Sequence, residues 1–214
     1  MRFELVFLAI VISLFFEISY FFFLRYIQRV KFKKNLKITN TFLFEVTPKF
    51  NEKTSFINYV LLFGVIVCLF PFIYYLRYSL QVYSVTIMII AILLMAALAV
   101  IPFLSIDKLR EHLFFDVMAL VLVTGLCAME AYYAFNLYRL YSDDYQLAAM
   151  IVALVLFVLS FIMIVNPKLF DLKNNIDEEG NPSRKKIIWL AFTEWIIYPL
   201  SILSLVPLLL LCVQ

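Results

Sequence analysis

Four acidic residues stand where an acid is costly. Glu17, Asp116, Glu130 and Glu194 each fall inside an apolar stretch long enough to cross a bilayer. An ionised side chain at the centre of such a helix costs about 2.5–3.5 kcal/mol on insertion scales, so these groups are expected to face a bundle interior or a cavity. A carboxyl in that setting can bind and release a proton or hold a cation. No Lys or Arg lies in the interior of the same stretches to neutralise them. The alternative role is structural, with each acid hydrogen-bonded across helices or to a freed backbone carbonyl.

Glu17 has Ser13 and Tyr20 on its own helical face, at i−4 and i+3. Glu194 is followed at i+4 and i+7 by Tyr198 and Ser201. At ~1.5 Å per residue Glu17 and Glu194 reach nearly equal depth, so packing of the first and last spans lets them share a proton or a cation. Asp116 and Glu130 are 14 residues apart, which places them on nearly one face of the fourth span, some ~20 Å apart along the axis. Thr124, Ala128 and Ala131 form an adjacent small-residue seam suited to close helix approach. This span is expected to be central, its polar face lining one wall of a pathway. His112 precedes Asp116 by one turn, and an i, i+4 His–Asp pair can relay protons.

Other chemistry has little to stand on. One His, and three Cys without paired spacing, predict no metal or haem site. Three scattered glycines leave no phosphate-binding loop, dinucleotide fingerprint or nucleophile elbow. No cofactor and no catalytic residue is expected, and enzymatic activity has no motif behind it.

The elements that position these acids follow from composition. Of 214 residues, 65% are hydrophobic and 15% charged, and the mean hydropathy is +0.97. A soluble domain is about 45–50% apolar and about 25% charged. Disorder is excluded by the amount of apolar surface to be buried. Apolar runs of the ~20 residues needed to span hydrocarbon occur at about 3–24, 56–77, 82–105, 113–138, 145–166 and 187–212. The expected fold is an all-α bundle of six transmembrane helices forming a single membrane domain over residues 1–214, with no soluble domain. The alternating segments of a membrane barrel are absent. The first run has a Glu inside it and a basic stretch directly after it, the flanks of a retained anchor.

Orientation follows from Lys and Arg, which accumulate in cytoplasmic loops. The 25–55 loop, the short 106–112 connection and the 167–186 loop hold 15 of the 18, leaving Arg2, Arg77 and Arg139 for the other side. Both termini are therefore expected outside, in a cytoplasmic membrane whose residue usage suggests a bacterial genome. Arg29, Lys31, Lys33, Lys34 and Lys37 form a basic strip after the first span. Such a strip docks anionic lipid or a cytoplasmic partner, or simply enforces topology. It offers too little folded basic surface for nucleic acid.

Three prolines free backbone carbonyls inside spans: Pro71 that of Val67, Pro199 that of Trp195 and Pro207 that of Leu203. Tyrosines gather at the outer rim with Arg77, Arg139, Asp143 and Asp144, as an interfacial belt or a site for a lipid headgroup. Two functional expectations result. In the first, the protein moves a small polar or lipid substrate, coupled to protons or cations, through Glu17, Asp116, Glu130, Glu194 and Tyr198. In the alternative, it is a non-catalytic membrane subunit or scaffold, a partner in a complex or a homo-oligomer, docking through its basic first loop.

Overall fold

The computed structural model describes residues 2–30, 39, 41–42, 52–67, 84–101, 109–170 and 187–211. Their regular structure is entirely helical: α1 (Arg2–Val30), α2 (Glu52–Val67), α3 (Ser84–Val100), α4 (Leu109–Tyr141), α5 (Asp144–Ile164), a single turn α6 (Pro167–Phe170), α7 (Trp189–Leu203) and α8 (Val206–Leu211). Four stretches are long and apolar enough to cross a membrane: α1, α4, α5, and α7 with α8 taken together. Residues 68–83 lie outside the described residues, so the expected second and third spans are represented by α2 and α3 alone. Cys68, Pro71, Arg77 and the tyrosines between 74 and 83 fall in that segment, as Lys31, Lys33, Lys34 and Lys37 fall in another.

Helical periodicity explains which face each element buries. On α1, Ile10, Ser13, Tyr20 and Leu24 point inward, and Glu17 is half-buried on the same stripe. Val11, Phe15, Ile18, Phe22 and Tyr26 form the opposite, exposed stripe. Residues three and four apart share a helical face, so the two rows are one amphipathic pattern with an apolar outside. The outer face of α5 is equally apolar, with Ile151, Leu154, Val155, Val158, Leu159 and Ile162 all about half exposed. Contiguous apolar surface of this extent belongs in hydrocarbon rather than in water.

The α4–α5 hairpin is the most extensive helix pair. Small residues explain the close approach: Ala131, Ala134, Ala149 and Ala153 are buried between the two. Ala128 is instead exposed and helps line a surface groove with Tyr132, Phe135 and Leu154. A polar rivet joins the pair where Thr124 Oγ1 lies 2.8 Å from Ser160 Oγ. Each hydroxyl carries one proton and also lies near a carbonyl of its own helix, Thr124 at 2.7 Å from that of Leu120 and Ser160 at 2.9 Å from that of Leu156, so one proton serves the cross-helix contact and the other a carbonyl. The turn closing the hairpin is two residues long. Ser142 takes φ 55° and its N–H bonds the Tyr138 carbonyl at 2.8 Å. Asp143 then caps α5, accepting from the Tyr145 N–H at 3.1 Å. Asp143 thus has a structural role, and Arg139 lies 5.8 Å over the Phe135 ring.

The last span, not the fourth, is the most enclosed. Residues on nearly every side of α7 are buried, including Ala191, Glu194, Ile197, Tyr198 and Ser201, because α1, α3, α4, α5 and α6 all pack on it. Its expected continuity to the C-terminal end is interrupted at Ser204–Leu205, before α8. Pro207 has no N–H for the Leu203 carbonyl and clashes with that turn. The chain adjusts with a tighter Leu205 N–H to Ile202 carbonyl bond of 3.1 Å, and the Ser204 hydroxyl donates to the Ser201 carbonyl at 2.8 Å.

Glycine packing and the polar rivet each make a prediction. A Cβ added at Gly64 on α2 would stand 2.5–2.7 Å from three ring atoms of Phe16 on α1, whereas one at Gly125 on α4 meets nothing within 4 Å. Gly64→Ala should therefore cost about 1–3 kcal/mol through overpacking, and Gly125→Ala should be neutral or stabilising by up to about 1 kcal/mol. Unfolding in detergent distinguishes them by the sign of the shift. For the rivet, a double-mutant cycle with Thr124→Ala and Ser160→Ala should return a coupling near ~0.6 kcal/mol and below about 1.7 kcal/mol. Strict additivity would show that the two hydroxyls serve only their own helices.

Candidate functional site

Each turn of α4's inward stripe carries a different chemistry: His112, Asp116, then Ala119, Leu120, Val123, Leu126 and Cys127, and finally Glu130, every one of them 0% exposed. The expectation that Asp116 and Glu130 share a face is met. The expectation of a polar wall between them is not, because the intervening turns are closed apolar core. Glu130 stands alone toward the far end of α4, with neither oxygen partnered among the described residues. It is not part of the cluster at the other end.

That cluster forms around Glu194. Its Oε1 lies 2.8 Å from His112 Nδ1, and both residues are fully buried. The sequence pointed to His112 with Asp116; the fold brings His112 of α4 to Glu194 of α7. Asp116, one turn along from His112, lies within electrostatic reach of Glu194. Neither Asp116 oxygen has a hydrogen-bond partner among the described residues, and neither does the hydroxyl of buried Tyr20.

Tyr198 ties the cluster together. It is buried, and Tyr20, Glu194, Asp116 and Glu17 all lie within electrostatic reach of it. Its hydroxyl donates to the Leu98 carbonyl of α3 at 2.7 Å. Leu98 stands in the last turn of α3, and the final carbonyls of a helix have no donor within it. Glu17 takes a peripheral place, half-buried and close to Tyr198. The first span does pack on the last, with the Phe21 and Trp195 rings 6.2 Å apart and nearly perpendicular.

The first loop supplies a component that was not anticipated. Thr39, Thr41 and Phe42 dock at α7 and the residue before it: the Ile188 N–H donates to the Thr39 carbonyl at 2.7 Å, and Trp195 Nε1 donates to the Thr41 carbonyl at 2.7 Å. Phe42 is fully buried, its ring centroid 6.2 Å from that of His112. A Thr-Phe-Leu sequence after a run of lysines reads as loop or membrane-surface segment, and only the tertiary structure shows it as the cover of a buried pair. Of the docking strip, Arg29 is exposed at the end of α1.

The arrangement is two acids and a histidine, from two helices, enclosed by tyrosines and phenylalanine. Among the described residues no group of three or more ligating side chains could hold a metal ion. The chemistry available is proton transfer and recognition of positive charge. Together with four apolar helices of membrane-spanning length, it fits a multi-pass, all-helical integral membrane protein. Comparison of the chain with protein-family models, with curated proteins and with solved structures finds no match.

The pair makes a stability prediction. Removing one partner of a buried ion pair strands the other and costs about 3–5 kcal/mol, while replacing both with apolar residues is often neutral or better. His112→Leu or Glu194→Leu alone should therefore destabilise the protein in detergent, and the double variant should be more stable than either single one. Additive losses in the double variant would show that the two side chains do not interact.

Proposed function

We propose that this protein is a membrane carrier that couples movement of a small polar or lipid substrate to protons, with Glu194, Asp116 and His112 as the exchanging groups. The observation that supports it most is the set of three fully buried ionisable side chains with no buried Lys or Arg among the described residues. A charge enclosed in this way is costly, so adding or removing one proton changes the relative energy of two packings of the helices that hold it. α7 is suited to such a change. Pro199 interrupts its hydrogen-bond ladder one turn beyond Glu194, and the ladder breaks again at Ser204–Leu205. In this reading the chain has six spans, both termini face away from a bacterial cytoplasm, and the basic loops meet anionic lipid on the inner face.

A hydrophobic carbodiimide tests the reading before any substrate is known, because it adds to carboxyls in apolar surroundings only when they are protonated. Protein in phospholipid vesicles should become modified at Glu194 or Asp116, located by mass spectrometry of the fragments, with the yield falling as pH rises. Modification confined to exposed carboxyls across the whole pH range would overturn the reading.

A further inference from the structure

The α4–α5 hairpin carries a surface groove that plays no part in the buried cluster. Ala128, Tyr132 and Phe135 of α4 form one wall, and Met150, Leu154 and Phe157 of α5 the other. Its volume is about 340 Å³, within the ~300–1,000 Å³ range of clefts that hold small molecules. The lining is apolar apart from the Tyr132 hydroxyl, and Ala128, Tyr132, Phe135 and Leu154 are all exposed. The groove is also short. Ala128 and Phe135 are 7 residues apart, or ~10 Å along the helix. In the other direction the same stripe of α4 carries Val121 and Phe114, both more than half exposed. A seam for a neighbouring membrane helix would need small residues over much of the ~30 Å of hydrocarbon. This groove occupies the depth of one leaflet.

Arg139 stands at its end. It follows Phe135 by one turn on the same helical face, with its guanidinium carbon 5.8 Å from the centre of the Phe135 ring. Arg139 is exposed and forms no ion pair among the described residues. Asp143, four residues on, accepts from the Tyr145 N–H instead. Ala128 and Arg139 are 11 residues apart, ~16 Å along the axis, which is close to half the ~30 Å hydrocarbon thickness. We infer that the groove seats one acyl chain of a glycerophospholipid whose phosphate is held by Arg139, in the leaflet at the α4–α5 turn. The site is separate from the carboxyl cluster and does not depend on the carrier reading. A guanidinium presents a planar fork of N–H donors that matches phosphate oxygens, and its contact with the Phe135 face holds it at the head of the groove. Asp144, exposed in the first turn of α5 at the same end of the hairpin, favours a zwitterionic headgroup over a multiply anionic one.

Native mass spectrometry of the detergent-solubilised protein, titrated with dioleoyl phosphatidylethanolamine, reads the occupancy directly. The wild-type protein should bind one lipid more tightly than any that follow. Arg139→Gln should weaken that first step by about tenfold or more, the loss expected with a charge-assisted hydrogen bond. Ala128→Leu fills the groove from an exposed position and should weaken it to a similar extent. Val158→Leu, on the half-exposed outer face of α5, should leave it unchanged. Dioleoylglycerol, which has the same chains and no phosphate, should bind the wild-type protein about as weakly as the phospholipid binds Arg139→Gln. Should a variant fail to fold, the comparison of the two lipids on the wild-type protein still decides. Equal binding by all the variants would reveal only a general lipid shell, and equal binding of dioleoylglycerol would remove the phosphate contact. Either result overturns the inference, as does a particle that takes up no lipid or that pairs with a second copy through the Ala128 face.

Discussion

The cost of enclosing charge in an apolar bundle governs the way this protein is built. His112 and Glu194 are each fully buried and lie 2.8 Å apart. Neither is comfortable in that interior alone, and each makes the other tolerable only if α4 and α7 hold a fixed register and depth. The remaining architecture maintains that register. α1 and α3 flank the pair with the tyrosines and the Leu98 carbonyl, α5 clamps α4 through small residues and a hydroxyl contact, and the Thr39–Phe42 segment closes the end.

Backbone polar groups obey the same constraint. In an apolar surround every carbonyl needs a donor, and prolines remove donors at set places. At Leu98, in the last turn of α3, the donor is the Tyr198 hydroxyl, and at the end of α7, where Pro207 removes a donor, Ser204 patches the break. A helix end thus helps fix a tyrosine of the cluster, and a proline gives the helix carrying Glu194 a weak point. Rigidity on one side and adjustability on the other is the combination a proton-dependent change of packing requires.

Two buried acids on one helix have come to different ends. Asp116 joins a group that includes Glu194 and Tyr198, while Glu130 sits beyond a closed layer formed by Val123, Leu126 and Cys127. The apolar layer separates them electrically and sterically, so a shared helical face does not amount to a shared route. The rim residues likewise serve their own neighbourhoods, since Asp143 caps α5 and Arg139 lies on Phe135. The surface they were expected to offer to a headgroup is partly spent on closing a hairpin.

Much of this protein is determined by local chemistry and is legible in the sequence. Apolar runs, their 3.6-residue periodicity and the intolerance of lipid for charge establish helices of membrane-spanning length at 2–30, 109–141, 144–164 and 189–211. The same reasoning turns Ser13, Glu17 and Tyr20 to one side of α1 and marks Asp116, Glu130 and Glu194 as inward-facing. Those inferences need only the geometry of one helix. Which inward-facing group meets which is a different kind of fact. It depends on the relative depth, rotation and neighbours of separate helices, and these are set by the summed packing of many side chains rather than by any local pattern. The pairing of His112 with Glu194, the enclosure of α7 in place of α4, and the use of Phe42 as a cover were therefore decided by the tertiary structure alone.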